Sequence, residues 1–198
     1  STCVVDNNNL RVQSLRTALN SLTETFTYRM RDTAGATDIA QLSIRIDGAW
    51  DAPVAANDIA LAVADNGKGN AINPTGNVLP NDTDVDQGDS LIVTGIRAGT
   101  EAADGSLALV NAATDSSNGT LVNGLFGQLI IGADGSYTYI VDSNNPTVLA
   151  LGPLQFLNER FTYQITDRGG QTDLAEIQII IRGRNSAPVA NGDEGTAV

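Results

Sequence analysis

FTYQITDRGGQTDLAEIQIII at 161–181 decides the fold, because the chain carries it twice: FTYRMRDTAGATDIAQLSIRI stands at 26–46. In an extended chain Phe161, Tyr163 and Ile165 point one way and Thr162, Gln164 and Thr166 the other, the alternation of a half-buried strand. Arg168-Gly169-Gly170 separates this strand from the β-branched run IQIIIRG at 177–183, as LSIRI at 42–46 follows its own glycine turn. Residues 22–63 align with 157–198 without a gap at an offset of 135, and 20 of those 42 pairs are identical.

Working outward, DAPVAAND at 51–58 matches SAPVANGD at 186–193, and CVVDNNNLRVQSL at 3–15 matches YIVDSNNPTVLAL at 139–151 at an offset of 136. The copies therefore differ by a single residue between Leu15 and Leu22. A fixed period of this kind denotes tandem modules. The reading is residues 1–52 as the back portion of a preceding repeat, 53–187 as one complete repeat, and 188–198 as the first strand of a following one. The chain is expected to be a slice of a longer array. A half-sandwich at 1–52 would expose core and strand edges, so something is expected to complete it. That is either the missing part of the array or a neighbouring copy by strand exchange, with the tail 188–198, which matches 53–63, as a donor.

The coarse structure is all β. SLIVTGI (90–96) and SYTYIV (136–141) join the strands already named, and Ala133-Asp134-Gly135 reads as a tight hairpin turn because Asp-Gly tolerates positive φ. The helical signal is one turn at Pro146–Leu151, with proline near its start. Roughly eight short strands in a repeat of this length predict a β-sandwich. The joint at Arg184-Asn185-Ser186 is too short for a flexible tether, and Pro188 stiffens its exit, so modules are expected end to end.

The formal charge is −12, from 18 aspartates and five glutamates against 11 basic residues, with no histidine. This balance repels nucleic acid and anionic membrane surfaces and suits divalent cations. No apolar run is long enough to span a membrane, and no signal peptide is visible, as expected for an internal slice. Cys3 is the single cysteine, so no intrachain disulfide can brace the modules. Its counterpart Tyr139 occupies an inward strand position, so Cys3 reads as an unreactive buried thiol. Metal is the usual alternative staple.

The chemistry concentrates in GNVLPNDTDVDQGDSLIVT at 76–94. Asn81, Asp82, Asp84, Asp86 and Asp89 place carboxylates and an amide at nearly alternate positions, where side chains of an extended loop fall on one side and can converge on an ion. Packed carboxylates raise one another's pKa unless a cation neutralises them. A hard divalent ion with oxygen ligands fits, and calcium fits best. The spacing departs from an EF-hand: the glycine at the sixth loop position, the glutamate at the twelfth and the flanking helices are all missing. The alternative is a solvated acidic loop between strands.

Together, GNVLPNDTDVDQGDSLIVT, GADGSYTYIVD at 132–142, the twice-met FTY stretch and the APVA boundaries resemble the VCBS-type, cadherin-like repeats of giant, RTX-like bacterial surface adhesins. The resemblance covers essentially the whole chain. It implies an Ig-like or cadherin-like β-sandwich, an extracellular position on the bacterial cell surface, calcium-stiffened tandem packing, and a part in adhesion or biofilm formation. Relatives join modules through Gly-Thr-Asn-Asp-Ala-Pro. Here one joint reads Gly48-Ala49-Trp50-Asp51-Ala52-Pro53, which keeps the aspartate but loses the asparagine, and the other Gly183-Arg184-Asn185-Ser186-Ala187-Pro188, which keeps the asparagine but loses the aspartate, so each lacks one potential ligand. Asn57-Asp58 keeps the family pattern, which implies Asp58 as a ligand. Asp167, the counterpart of Asp32, resembles the aspartate that cadherin-like modules place near the joint, although aspartate also starts turns by bonding its own backbone.

Trp50 stands where the family has asparagine, and reads as a hydrophobic plug between modules or as a contact for another chain. Asp134 and Asp142 read as turn residues. Without histidine, a serine triad and most zinc sites are excluded, and aromatic residues to grip a sugar are few, so the chain is expected not to be an enzyme. Its expected function is a calcium-stiffened structural repeat of an adhesin stalk or fibre. The alternatives are a glycan- or protein-binding module, for which 98–128 would have to form a cleft lined by Tyr or Trp, and a strand-exchanging fibre subunit.

Overall fold

A computed structural model describes residues 4–16, 20–64, 70–86 and 88–184. Cys3, the second joint from Asn185 onward and the tail 188–198 lie outside the described residues.

The duplicated hairpin appears twice. Strands β1 (Ser21–Arg31) and β2 (Thr37–Asp47) pair antiparallel from Ser21↔Asp47 to Arg31↔Thr37. The next strands in sequence are β3 (Asp58–Val63), β4 (Thr75–Asn77), β5 (Ile92–Ala98), β6 (Ala108–Leu109), β7 (Thr120–Asn123), β8 (Gly127–Ile131) and β9 (Ser136–Val141). The second hairpin closes the set with β10 (Phe156–Thr166) and β11 (Thr172–Arg182), in the same register as the first, from Phe156↔Arg182 to Thr166↔Thr172. One-turn helices precede both hairpins: α1 (Leu10–Gln13), capped by Asn9, and α2 (Pro146–Leu149), capped by Asn145. The helical turn expected at 146–151 is therefore present, although its last two residues have left the helix.

Two sheets form a sandwich. One has the order β3-β11-β10-β5-β6, with β3 parallel to β11; the other has the order β4-β9-β8-β7. The core is the set of inward positions: Phe161, Tyr163 and Ile165 on β10, Ile177, Ile179 and Ile181 on β11, and Leu129, Ile131, Tyr139 and Val141 on the facing sheet. The rings of Tyr139 and Phe161 meet edge to face, with centroids 6.2 Å apart. On β5, Val93 and Ile96 are both fully buried although three residues apart. A strict two-residue period would put them on opposite faces; a bulge in β5 opposite Gln164/Ile165 absorbs the extra residue. The turn at 133–135 forms as expected, with Gly135 at φ +79° and the Ser136 amide on Asp134 Oδ1.

The first hairpin has the shape of the second without its surroundings. Phe26, Tyr28 and Leu42 are 48%, 46% and 52% exposed, whereas their counterparts Phe161, Tyr163 and Ile177 are fully buried. Among the described residues β1 and β2 pair only with each other.

The far end of the sandwich is pinned by a buried carboxylate. Glu159, 6% exposed, accepts the Tyr139 hydroxyl on Oε1 and the Leu125 amide on Oε2 at 2.7 Å. The 98–128 segment borders a cavity of about 470 Å³ lined by Ala98–Thr100, Gly124, Leu125 and Asn158–Arg160, with no Tyr or Trp.

Candidate metal centre

The acidic loop leaves a single 3₁₀ turn, Leu79–Asn81, and an isolated backbone bridge between Thr83 and Val54 lays it along the joint. Local bonds then fix its carboxylates. The Asp86 amide donates to Asp84 Oδ1 at 2.7 Å and the Ser90 amide to Asp89 Oδ1 at 2.8 Å. The Asp89 amide donates to the Asp86 carbonyl at 3.1 Å, a tight turn made possible by Gly88 at φ +76°. Carboxylate oxygens of Asp84, Asp86 and Asp89 thereby come within 4.8 Å of one another.

A second element brings a further carboxylate. In the turn between β10 and β11, Asp167 is 6% exposed and accepts the Gln171 amide on Oδ1 at 2.7 Å. Burial raises the Asp84 pKa, and the negative charges of Asp86, Asp89 and, least, Asp167 push it the same way. Oδ2 of Asp84, of Asp89 and of Asp167 is buried with no hydrogen-bond partner in the protein. Buried carboxylate oxygens without a donor are costly, and their all-oxygen, all-anionic character fits a hard divalent cation. The residues can hold such an ion.

The joint ties these elements together. The Asp51 amide donates to Asp86 Oδ2 at 3.0 Å, and Gln171 Nε2 donates to the Trp50 carbonyl at 2.5 Å. A cavity of about 430 Å³ between the first hairpin and the loop is lined by Leu15, Gly48, Asp51, Val85 and Asp86 among others.

The predicted ligands do not all meet. Asp84, Asp86 and Asp89 cluster, and Asp167 lies outside that close group though its charge acts on Asp84, but Asn81, Asp82 and Asp58 gather around Tyr163. The Ala56 amide donates to Asp82 Oδ1 at 2.8 Å, and Asn81 Nδ2 donates to the Ala56 carbonyl at 3.0 Å. The Tyr163 hydroxyl donates toward the Ala56 carbonyl and Asp58 Oδ2, both at 2.9 Å. Asp173, which sequence reading did not place in the ligand set, accepts the Ala55 amide on Oδ2 at 2.8 Å. The run 81–89 thus serves two groups rather than one, because its first residues are drawn to the backbone of the joint. Burial pushes Asp58 up to about 6, with the Asp82 charge adding to it and the Tyr163 hydroxyl opposing it. Burial also raises Asp82, whose Oδ2 is partnerless.

The sequence pattern gave no role to Gly88 and marked Gly169 only as part of the turn. Gly88 sits in the loop whose carboxylates were counted. Gly169 could have been found by comparing the two hairpin turns, since Ala34 occupies the equivalent place.

A sandwich whose acidic loop and aspartate turn converge on the joint before it is a cadherin-type module. Residues 50–183 match the family model of the bacterial cadherin-like domain, and the chain belongs to that family. No curated protein matches the chain. Among solved structures, a fragment of mouse clustered protocadherin PcdhgC3 (EC1-3) is 16% identical with a TM-score of 0.38, over 83% of this chain and 44% of that one. A PcdhgB3 EC1-4 structure is 12% identical with a TM-score of 0.31, over 82% and 41%. A nucleoside hydrolase-related hypothetical protein from Saccharophagus degradans, associated with carbohydrate metabolism, is 18% identical with a TM-score of 0.35, over 69% and 26%. The chain spans less than half the length of each. No helix among the described residues is long and apolar enough to cross a membrane.

Proposed function

We propose that the chain is a calcium-stiffened repeat from the stalk of a large extracellular bacterial adhesin of the VCBS or RTX-like type. In this reading it works as a spacer in adhesion or biofilm formation and carries no catalytic activity. The observation that carries it is the set of partnerless buried oxygens on Asp84, Asp89 and Asp167, placed where Trp50 and Asp51 of the joint bond to the same two elements. Bound calcium would supply the positive charge these carboxylates lack. The loop and the turn would then hold the joint, and through it the first hairpin, in one orientation. In this reading β1 and β2 are the last strands of a preceding repeat, and neighbouring repeats are the principal partners.

The exposed apolar face of the first hairpin favours a second reading, a fibre subunit whose copies complete one another by strand exchange. Small-angle scattering of the chain in calcium and in chelator tests the first. A spacer of this kind gives a longer, sharper distance distribution with calcium, and an unchanged distribution refutes the stiffening. Growth of the scattering mass with concentration would select the fibre instead.

A further inference from the structure

We propose that Trp50 is a positioning residue of the cation site, and that position 169 is glycine to receive its indole. A β-carbon built on Gly169 would lie 2.5 Å from Trp50 Cγ and 2.6 Å from Cδ2, so the indole lies directly on the Gly169 backbone. The turn itself does not need glycine there. Its twin in the first hairpin holds Ala34 at that place and makes the same bonds: the Gly35 amide to the Asp32 carbonyl at 3.2 Å, matching Gly170 to Asp167 at 3.3 Å. The positive φ falls one residue later in both, at Gly35 (+94°) and Gly170 (+84°). The second turn differs in carrying the tryptophan and in having Gln171, which bonds the Trp50 carbonyl, where the twin has Ala36.

The contact falls at a point of leverage. Residues 50 and 51 hold both ligand-bearing elements. Through its indole on Gly169 and its carbonyl on Gln171 Nε2, Trp50 holds the turn that presents Asp167. The next amide, that of Asp51, bonds Asp86 Oδ2. Asp167 sits in the β10–β11 turn, apart in sequence from the acidic loop, so its place relative to Asp84 and Asp89 depends on what clamps the turn. The equivalent of Trp50 at the second joint is Asn185, so the clamp belongs to the first joint alone and matches it to a module with glycine at position 169. The inference rests on the cation reading above for the ion and on the contact itself for the clamp.

Trp50 is the single tryptophan of the chain, so its emission reports this contact. Gly169→Ala keeps a turn the protein already builds with alanine, but removes the seat of the indole. In chelator, Gly169→Ala is expected to red-shift the emission, increase acrylamide quenching and speed amide exchange over 167–171. In calcium titrations of the full chain followed by calorimetry, Gly169→Ala and Trp50→Ala are expected to bind about 10–100-fold more weakly than wild type, with Trp50→Phe close to wild type. Wild-type emission is expected to change along the same isotherm as the heat. Wild-type affinity in both alanine variants, or emission unmoved through the titration, overturns the proposal. If the wild-type chain takes up no calcium, the cation reading fails; unchanged exchange and quenching in Gly169→Ala would then overturn the clamp, and altered values would sustain it.

Discussion

Asp84→Asn should change the sign of its effect on stability with the presence of calcium. Asparagine can still accept the Asp86 amide through its side-chain oxygen, so the turn built on that 2.7 Å bond survives. Two things are lost: a partly buried negative charge raised in pKa by burial and by Asp86, Asp89 and Asp167, and the partnerless Oδ2. Without metal, removing that charge relieves repulsion, and the variant should melt above wild type. With calcium at about 100 times the wild-type dissociation constant, the ion stabilises wild type by about 2.7 kcal/mol. Losing one ligand weakens binding by roughly 10–100-fold, which leaves about 0.4–1.4 kcal/mol and so removes about 1.3–2.3 kcal/mol. For a chain of this size that amounts to roughly 3–9 °C. Differential scanning calorimetry of both proteins in chelator and in saturating calcium reads all four values. A variant less stable than wild type in both media would refute the reasoning, because Asp84 would then be a structural turn residue and not a repelled ligand.

Other consequences follow from the same contacts. The folded chain holds a proton on Asp58 up to a pKa of about 6 against 3.8 unfolded, so the folded state binds that proton more tightly. In chelator this contribution is present below the unfolded value and lost as pH rises through about 6, so the melting temperature should fall between pH 4.5 and 6.5, while in calcium, which competes with protons for the raised Asp84, the trend should flatten or reverse. Phe161→Ala should cost about 3–5 kcal/mol in urea unfolding, whereas Phe26→Ala, at the half-exposed counterpart, should stay within about 1 kcal/mol unless another chain covers it. Glu159→Leu leaves the Leu125 amide and the Tyr139 hydroxyl without their acceptor and should cost about 2–4 kcal/mol, read by the same unfolding experiment.

The strands were legible because burial on one face writes a two-residue period into the sequence, and the duplication repeated that signal in 26–46 and 161–181. β9 falls at 136–141 as read, while β10 and β11 extend beyond the apolar alternation because polar residues such as Asn158 and Thr172 pair in the ladder without marking a face. The short strands β4 and β6 carry no such signal; they are two or three residues long and held by their neighbours. At the site, spacing along the chain correctly grouped Asp84, Asp86 and Asp89, since the loop between them is local. Spacing could not show that Asp82 faces the Ala56 amide or that Asp173 faces Ala55, because those partners are fixed by how the joint lies across the sandwich end. Nor could it show Trp50 seated on Gly169, a contact between residues 119 positions apart whose trace in the sequence is a missing methyl group.

The central claim is that the carboxylates of the acidic loop and of the Asp167 turn share a cation. Crystals of the chain grown in excess calcium test it most directly. The account predicts one strong density peak bearing calcium's anomalous signal, about 2.3–2.6 Å from oxygens of Asp84, Asp86, Asp89 and Asp167. Ordinary water at hydrogen-bonding distance from those oxygens, with no anomalous signal, would contradict it.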